Sequence, residues 1–229
     1  MIRVAWALLT VCLFSVAALA KQAKLGAVAL NLPAPPGYCE LTEDQPSDAG
    51  MITTIGTMLE KGGNRLLVIS AECRQLDDWR AGRRPLLANY AQYQTRMALE
   101  NSNLPASPTE VIKGTCAQMR AKGESFTTSI TPDVQKRFDE VMKTVKINEM
   151  KFLGVLSEDS NTCYAALMQR IRAQSGTDIA QAVVFATTIV KGKLVYYYLF
   201  APYVGGQSVT DLLTQLKRNV AALATANSN

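Results

Sequence analysis

Toward the end of the chain, Ala182 to Val190 and Leu194 to Phe200 are apolar or aromatic at both alternating sets of positions, so a strand over either predicts cover on both faces. Lys191-Gly192 between them is a hairpin turn, which makes the two strands antiparallel. Two further strands are predicted just before, Met150 to Leu156 and Thr162 to Ile171, and the first of the long pair opens at Ile179. Earlier, a short apolar strand from Ala27 to Leu32 ends at Pro33-Ala34-Pro35-Pro36-Gly37 and the chain turns into Tyr38-Cys39-Glu40-Leu41. Arg65 to Cys73 is an apolar run of strand length. From Ala91 to Leu99, apolar Ala91, Tyr93, Thr95, Met97 and Leu99 alternate with Gln92, Gln94, Arg96 and Ala98, the pattern of a half-buried strand.

Helical spacing marks four other segments. Pro46-Ser47 opens a helix with Met51, Ile52, Ile55, Met58 and Leu59 on one face, stopped by Gly62-Gly63. Ser107-Pro108-Thr109-Glu110 is a capping box with proline at the first helical position, leading into Val111, Ile112, Cys116 and Met119 and ending at Gly123. Thr131-Pro132-Asp133 opens a third, with Val134, Phe138, Val141, Met142 and Val145 as its stripe. A last helix runs from Ser208 as cap, with Asp211 three residues on, through Val209, Leu212, Leu213, Leu216, Val220 and Leu223. Pro85 forbids a long helix in the basic stretch after Cys73. These elements assemble into an α+β fold, an antiparallel sheet sandwiched between helices on both faces. No repeat and no linker-like gap divides residues 21–229, so one domain is expected, its core at about residues 27–226.

The first twenty residues stand apart. Arg3 supplies a positive start, Val4 to Leu19 an apolar run, and Ala18-Leu19-Ala20 a small-x-small site, which predicts a signal peptide cleaved between Ala20 and Lys21 and a periplasmic or secreted protein with no stable membrane anchor. Cys12 lacks the small neighbour of a lipobox. Cleavage would leave 23 basic against 19 acidic residues, too mild a balance to argue for nucleic acid. Four cysteines remain, Cys39, Cys73, Cys116 and Cys163, and an even count in an exported chain reads as disulfides. Three pairings are possible; Cys39 with Cys73 and Cys116 with Cys163 close the shorter loops. With no Cys-x-x-Cys pair and no histidine, a metal site is not expected, and no cofactor is implied.

The absence of histidine also removes the commonest general base. No Gly-x-Ser-x-Gly, Ser-x-x-Lys or phosphate-loop motif occurs, and Gly62-Gly63 and Gly205-Gly206 read as a helix stop and a loop. Glu158-Asp159-Ser160-Asn161 lacks the alternating ligands of a calcium loop and reads as a turn. The candidate binding patch is Arg74, Trp79, Arg80, Arg83 and Arg84, since arginine pairs with carboxylate or phosphate and tryptophan anchors interfaces. The local reading has Asp77 and Asp78 pairing with these arginines and Trp79 pinning the loop to the core. As a solvated surface, Arg80, Arg83 and Arg84 could be replaced together by glutamine at little cost in stability. Tyr196, Tyr197 and Tyr198, with Phe200 and Tyr203, read as core rather than as a cleft lining.

The element order, the Leu32-Pro33-Ala34-Pro35-Pro36-Gly37-Tyr38 segment after a first strand, the hairpin at Lys191-Gly192-Lys193 and the closing helix from Ser208 resemble the PsbP-like fold family. That resemblance implies a non-enzymatic binding or assembly role and assigns no functional residue. The expectation is therefore an exported binding or interaction protein, with an envelope protein or anionic ligand as partner. The alternative is a histidine-free hydrolase or sugar-modifying enzyme working through paired carboxylates.

Overall fold

The polar-looking stretch after Ala20 is a strand. In the computed structural model, which describes residues 20–102, 104, 107–141, 145–173, 176 and 178–228, β1 (Lys21–Leu25) pairs antiparallel with β2 (Val28–Leu32). Gly26, between them, has φ +60°, and a Cβ there would stand 2.9 Å from the Glu100 carbonyl oxygen, so the turn admits only glycine. Leu25 is wholly buried, which moves the start of the core ahead of Ala27. The segment reads as polar because only alternate positions of this strand face inward. The expected signal peptide falls on residues 1–19 and Ala20, and all but Ala20 lie outside the described residues.

The chain continues through β3 (Tyr38–Glu40), α1 (Pro46–Glu60), β4 (Asn64–Glu72), α2 (Cys73–Arg80), β5 (Tyr90–Arg96), α3 (Pro108–Lys122) and α4 (Ser125–Val141). It closes with β6 (Val145–Glu158), β7 (Thr162–Ala173), β8 (Asp178–Val190), β9 (Lys193–Pro202) and α5 (Gly206–Ala226). Strands β3 to β9 form one antiparallel sheet in the order β3-β4-β5-β9-β8-β7-β6. The last four strands are a meander of consecutive hairpins, and β9 joins it to the β3-β4-β5 half. This is the expected α+β sandwich.

Several boundaries differ from the sequence reading, each for a physical reason. Helix α2 is additional: the Glu72 carboxylate accepts hydrogen bonds from the Arg74 and Gln75 amides at 3.2 and 2.9 Å, which caps a helix short enough to end before Pro85. Helix α4 starts at Ser125 and carries Pro132 inside it, where the ring removes one backbone donor without ending the helix. Val145 belongs to β6, which begins ahead of Met150, and Met142 lies outside the described residues. Helix α5 starts at Gly206 with Gly205 as its cap at φ 125°, so this glycine pair starts a helix; Ser208 Oγ instead accepts from the Val204 amide at 3.0 Å. Strand β5 is buried on both faces. Gln92 and Gln94, expected to face water, are 5% and 4% exposed, and the Gln94 amide donates to Gln92 Oε1 at 2.9 Å. An interior strand with helices on both sides has no wet face.

One face of the sheet is covered by α5 and the β1-β2 hairpin over a continuous core that includes Leu30, Val68, Tyr93, Val184, Tyr197, Leu199, Leu212 and Leu216. The remaining helices cover the other face, where the core is in three parts. One lies under α1 and α2 (Leu41, Ile55, Ile69, Leu76), one under Phe152, Phe185 and Phe200, and a small one holds Ile112, Cys116 and Cys163. Both disulfides close on this divided face. Cys39 joins Cys73 with Cα atoms 4.8 Å apart, and Cys116 joins Cys163 at 5.7 Å, the expected pairing.

Candidate functional site

The arginine segment is dispersed rather than assembled. Arg80 turns inward and holds Asp48 through two hydrogen bonds, Nε at 3.0 Å and Nη2 at 2.5 Å, and Asp48 is 0% exposed. Burial pushes the Asp48 pKa up, but the Arg80 and Ser47 hydrogen bonds, the Thr42 amide and the Arg80 charge outweigh it and hold the carboxyl below its ordinary value. Replacing Arg80 would therefore strand a buried charge, so the expectation that all three arginines are dispensable fails at this one. Arg83 pairs with Asp78 on the surface at 2.7 Å, Arg84 donates to Gln75, and Arg74 is exposed. Trp79 packs half-buried against the cluster under α1 and α2. Asp77 and Asp78 therefore do only part of the local pairing. The main partner, Asp48, comes from the first turn of α1, some thirty residues upstream of the segment.

The acidic group between β6 and β7 is a turn. Asp159 Oδ1 accepts from the Asn161 amide at 3.0 Å, and the Asp159 amide donates to the Thr162 carbonyl at 2.9 Å. Beside it, a cavity of about 580 Å3 opens between this turn, Lys191 and the α5 residues Lys217, Val220 and Ala221. Its two carboxylates are engaged: Glu158 pairs with Arg120 at 2.8 Å and Asp159 accepts from the Tyr164 hydroxyl at 3.2 Å. Burial, with Asp159 adding, pushes the Tyr164 pKa up to about 12, so the phenol keeps its proton and acts as donor. Lys217 Nζ stands 5.5 Å from the Tyr164 ring centroid. Among the described residues, no three His, Cys, Asp or Glu side chains gather as metal ligands.

The more distinctive site lies between the proline segment and α5. Pro33, Ala34 and Pro36 form one wall, and Gln215, Arg218, Asn219 and Ala222, from successive turns of α5, form the other, around about 340 Å3. The proline wall is fixed in place. Its Pro33 carbonyl accepts from the Tyr93 hydroxyl at 2.9 Å, and Pro35 accepts from the Tyr38 amide at 3.0 Å. Tyr93 stacks on Tyr197 with centroids 4.0 Å apart, and Tyr197, one of the tyrosines read as core, lies in the core under this helix. Of the α5 side chains on this wall, Asn219 is the buried one. Behind it lies the Tyr197 hydroxyl, within reach of Tyr93 and Asn219, and burial pushes the Tyr197 pKa up, which keeps that hydroxyl protonated. Asn219 Nδ2 and the Tyr197 hydroxyl make no hydrogen bond of full geometry, as is also true of Asn64 Oδ1 and Thr187 Oγ1 away from the groove.

The sequence reading missed this site, although one signal was present. Asn219 stands three residues after Leu216 and seven after Leu212, inside the apolar stripe of α5, where a polar residue breaks the pattern. The proline wall was marked only as the end of a strand. No family model, curated protein or solved structure matches the chain. Among the described residues, no helix is long and apolar enough to cross a membrane.

Proposed function

We propose that this is an exported, non-enzymatic binding protein whose ligand occupies the groove between the proline segment and α5. The observation that carries the reading is the groove itself, about 340 Å3 between the apolar wall of Pro33, Ala34 and Pro36 and the side chains of Gln215, Arg218 and Asn219 on α5. A concave apolar wall faced by a few polar groups is the ordinary form of a small-molecule site. Export is supported by the two disulfides, which persist in oxidising compartments, and by the apolar leader sequence. The antiparallel sheet with helices on both faces supports placing the chain in the PsbP-like fold family as part of the same proposal. Carboxylate-based hydrolysis has less behind it, because no acidic residue lines the groove, and both carboxylates at the larger cavity are committed to other partners.

Two measurements test the proposal. N-terminal sequencing of protein from the envelope fraction is expected to begin at Lys21; a retained Met1 would overturn export with cleavage. A screen of neutral and charged small fragments against 15N-labelled protein is expected to shift Gln215, Arg218, Asn219 and Ala222 together. Shifts confined to other surfaces, or none, would overturn the groove as the binding site.

A further inference from the structure

Resting on the reading of export with cleavage, we infer that the fold closes over its own processing site: once β1 is paired, the Ala20–Lys21 peptide resists hydrolysis, so removal of the leader has to precede docking of the β1-β2 hairpin. The first strand begins at the processing site. β1 starts at Lys21, the residue after the expected cleavage, and no residue separates the scissile bond from the ladder.

Register decides what the amide of that bond does. Gly26 and Ala27 join the two strands, and the facing pairs run Leu25 with Val28, Lys24 with Ala29, Ala23 with Leu30, Gln22 with Asn31 and Lys21 with Leu32. In a hairpin with a two-residue turn, the pair beside the turn exchanges hydrogen bonds, and so does every second pair after it. Lys21 and Leu32 are therefore an exchanging pair, and the N–H of the scissile peptide, which belongs to Lys21, points at the Leu32 carbonyl. The pairs between follow the same alternation: the Lys24 carbonyl turns outward to accept from Arg65 Nη2 at 2.7 Å, and the Asn31 amide turns outward to Asn227 Oδ1 at 2.9 Å. Side chains hold the strand end as well. Leu32 is 1% exposed, Lys21 Nζ lies 2.6 Å from Glu40 Oε1, and Ala20 itself is half-buried.

A protease takes the backbone around its target in extended form and needs those peptide groups free, which is why cutting concentrates at unpaired, exposed segments. Hydrolysis adds one water across the Ala20–Lys21 bond, leaving a carboxylate on Ala20 and an amine on Lys21. A signal peptidase reaches that bond only while Lys21 is off Leu32. The new amine still donates, so a cut chain keeps the same ladder contact. A chain that folds first keeps its leader.

The test takes the full-length precursor in detergent micelles with purified signal peptidase, either diluted from urea directly into the enzyme or refolded with both disulfides closed beforehand. Cutting between Ala20 and Lys21, read by mass spectrometry of the released domain, is expected to start at least tenfold faster in the first form, because a folded chain is cut only through its opened fraction. A short glycine-serine insertion between Lys21 and Gln22 keeps the scissile bond and frees it from the ladder. Refolded, and shown to be folded by its urea midpoint, this variant is expected to be cut as fast as the native precursor taken from urea. Equal rates for the two forms of the native precursor, or an insertion variant that stays resistant once refolded, would overturn the inference and leave export with cleavage standing. If neither form is cut at this bond, the cleavage reading falls and the inference with it.

Discussion

The two faces of the sheet are stabilised differently. Under α5 and the β1-β2 hairpin the core is continuous, running from Leu25 to Leu223 without a cross-link, and it encloses the Tyr197 hydroxyl and Asn219 Nδ2. On the opposite face the apolar contacts fall into three separate clusters, and it is there that both disulfides and the buried Asp48–Arg80 pair are found. A continuous core excludes water through packing alone. Small clusters gain less from burial and are reinforced covalently and electrostatically. The difference teaches where tolerance lies: the divided face is rigid at its links, while the continuous face has stability to spare for a polar defect.

Breaking the links should have the largest effect. With the bridged cysteines 34 and 47 positions apart in sequence, the chain-entropy relation gives about 4 kcal/mol for each bridge, and reduction should lower the urea midpoint by a corresponding amount. The bridges should not break together. Cys39 is exposed whereas Cys116 and Cys163 are 0% exposed, so a mild reductant followed by alkylation should label Cys39 and Cys73 first. Simultaneous labelling of all four would dissolve the distinction between the bridges.

Next in size is the ion pair. Asp48→Asn should cost ~3 kcal/mol, because it leaves the Arg80 guanidinium facing a neutral partner in a largely buried place, whereas the exposed Arg83→Gln should cost ~0–1 kcal/mol. The pH dependence has a definite sign. The Asp48 pKa is lower in the folded protein than in the unfolded chain, so its contribution is complete above the unfolded value near ~3.9 and is lost as pH falls through the folded value. Acid unfolding of the native protein should be steeper than that of Asp48→Asn. Equal acid sensitivity would mean that the pair is structurally neutral.

The smallest expected effect sharpens the comparison most. Tyr93→Phe removes a hydroxyl bonded to the Pro33 carbonyl and should cost ~1 kcal/mol. Tyr197→Phe removes one that makes no hydrogen bond of full geometry and should be neutral or stabilising by up to ~1 kcal/mol, read by chemical denaturation. A clear loss of stability in Tyr197→Phe would show that its hydroxyl is satisfied in solution, and the polar defect on the continuous face would disappear.

Much of the fold was legible because its signals are local. The capping box at Ser107 and Glu110 formed with both of its hydrogen bonds, and the doubly apolar strands β8 and β9 proved to be covered on both faces. Of the three disulfide pairings open to the sequence, the one favoured for its shorter loops is the one formed. What escaped depends on partners distant in sequence: β1 gains its pattern only beside β2 and the Arg65–Glu100 region, and α2 forms because a glutamate at the end of a strand doubles as a cap. The groove was least legible. Its walls, the proline segment and α5, are far apart in sequence, and Asn219 in the apolar stripe of α5 is the one local sign of it.

One contact joins the two ends of the described chain. The Asn31 amide donates to Asn227 Oδ1 at 2.9 Å, Asn227 Nδ2 donates to the Asn31 carbonyl at 2.7 Å, and Asn31 Nδ2 reaches the Ala226 carbonyl at 2.9 Å. Synthesis runs from the amino end, so the hairpin that carries Asn31 emerges 196 residues ahead of its partner Asn227. Until then Leu25, Leu30 and Leu32 lack the helix that shelters them. Folding of this face is thus timed by the arrival of α5 rather than by local preference, and the exposed hairpin is a natural client for a holding chaperone during that interval.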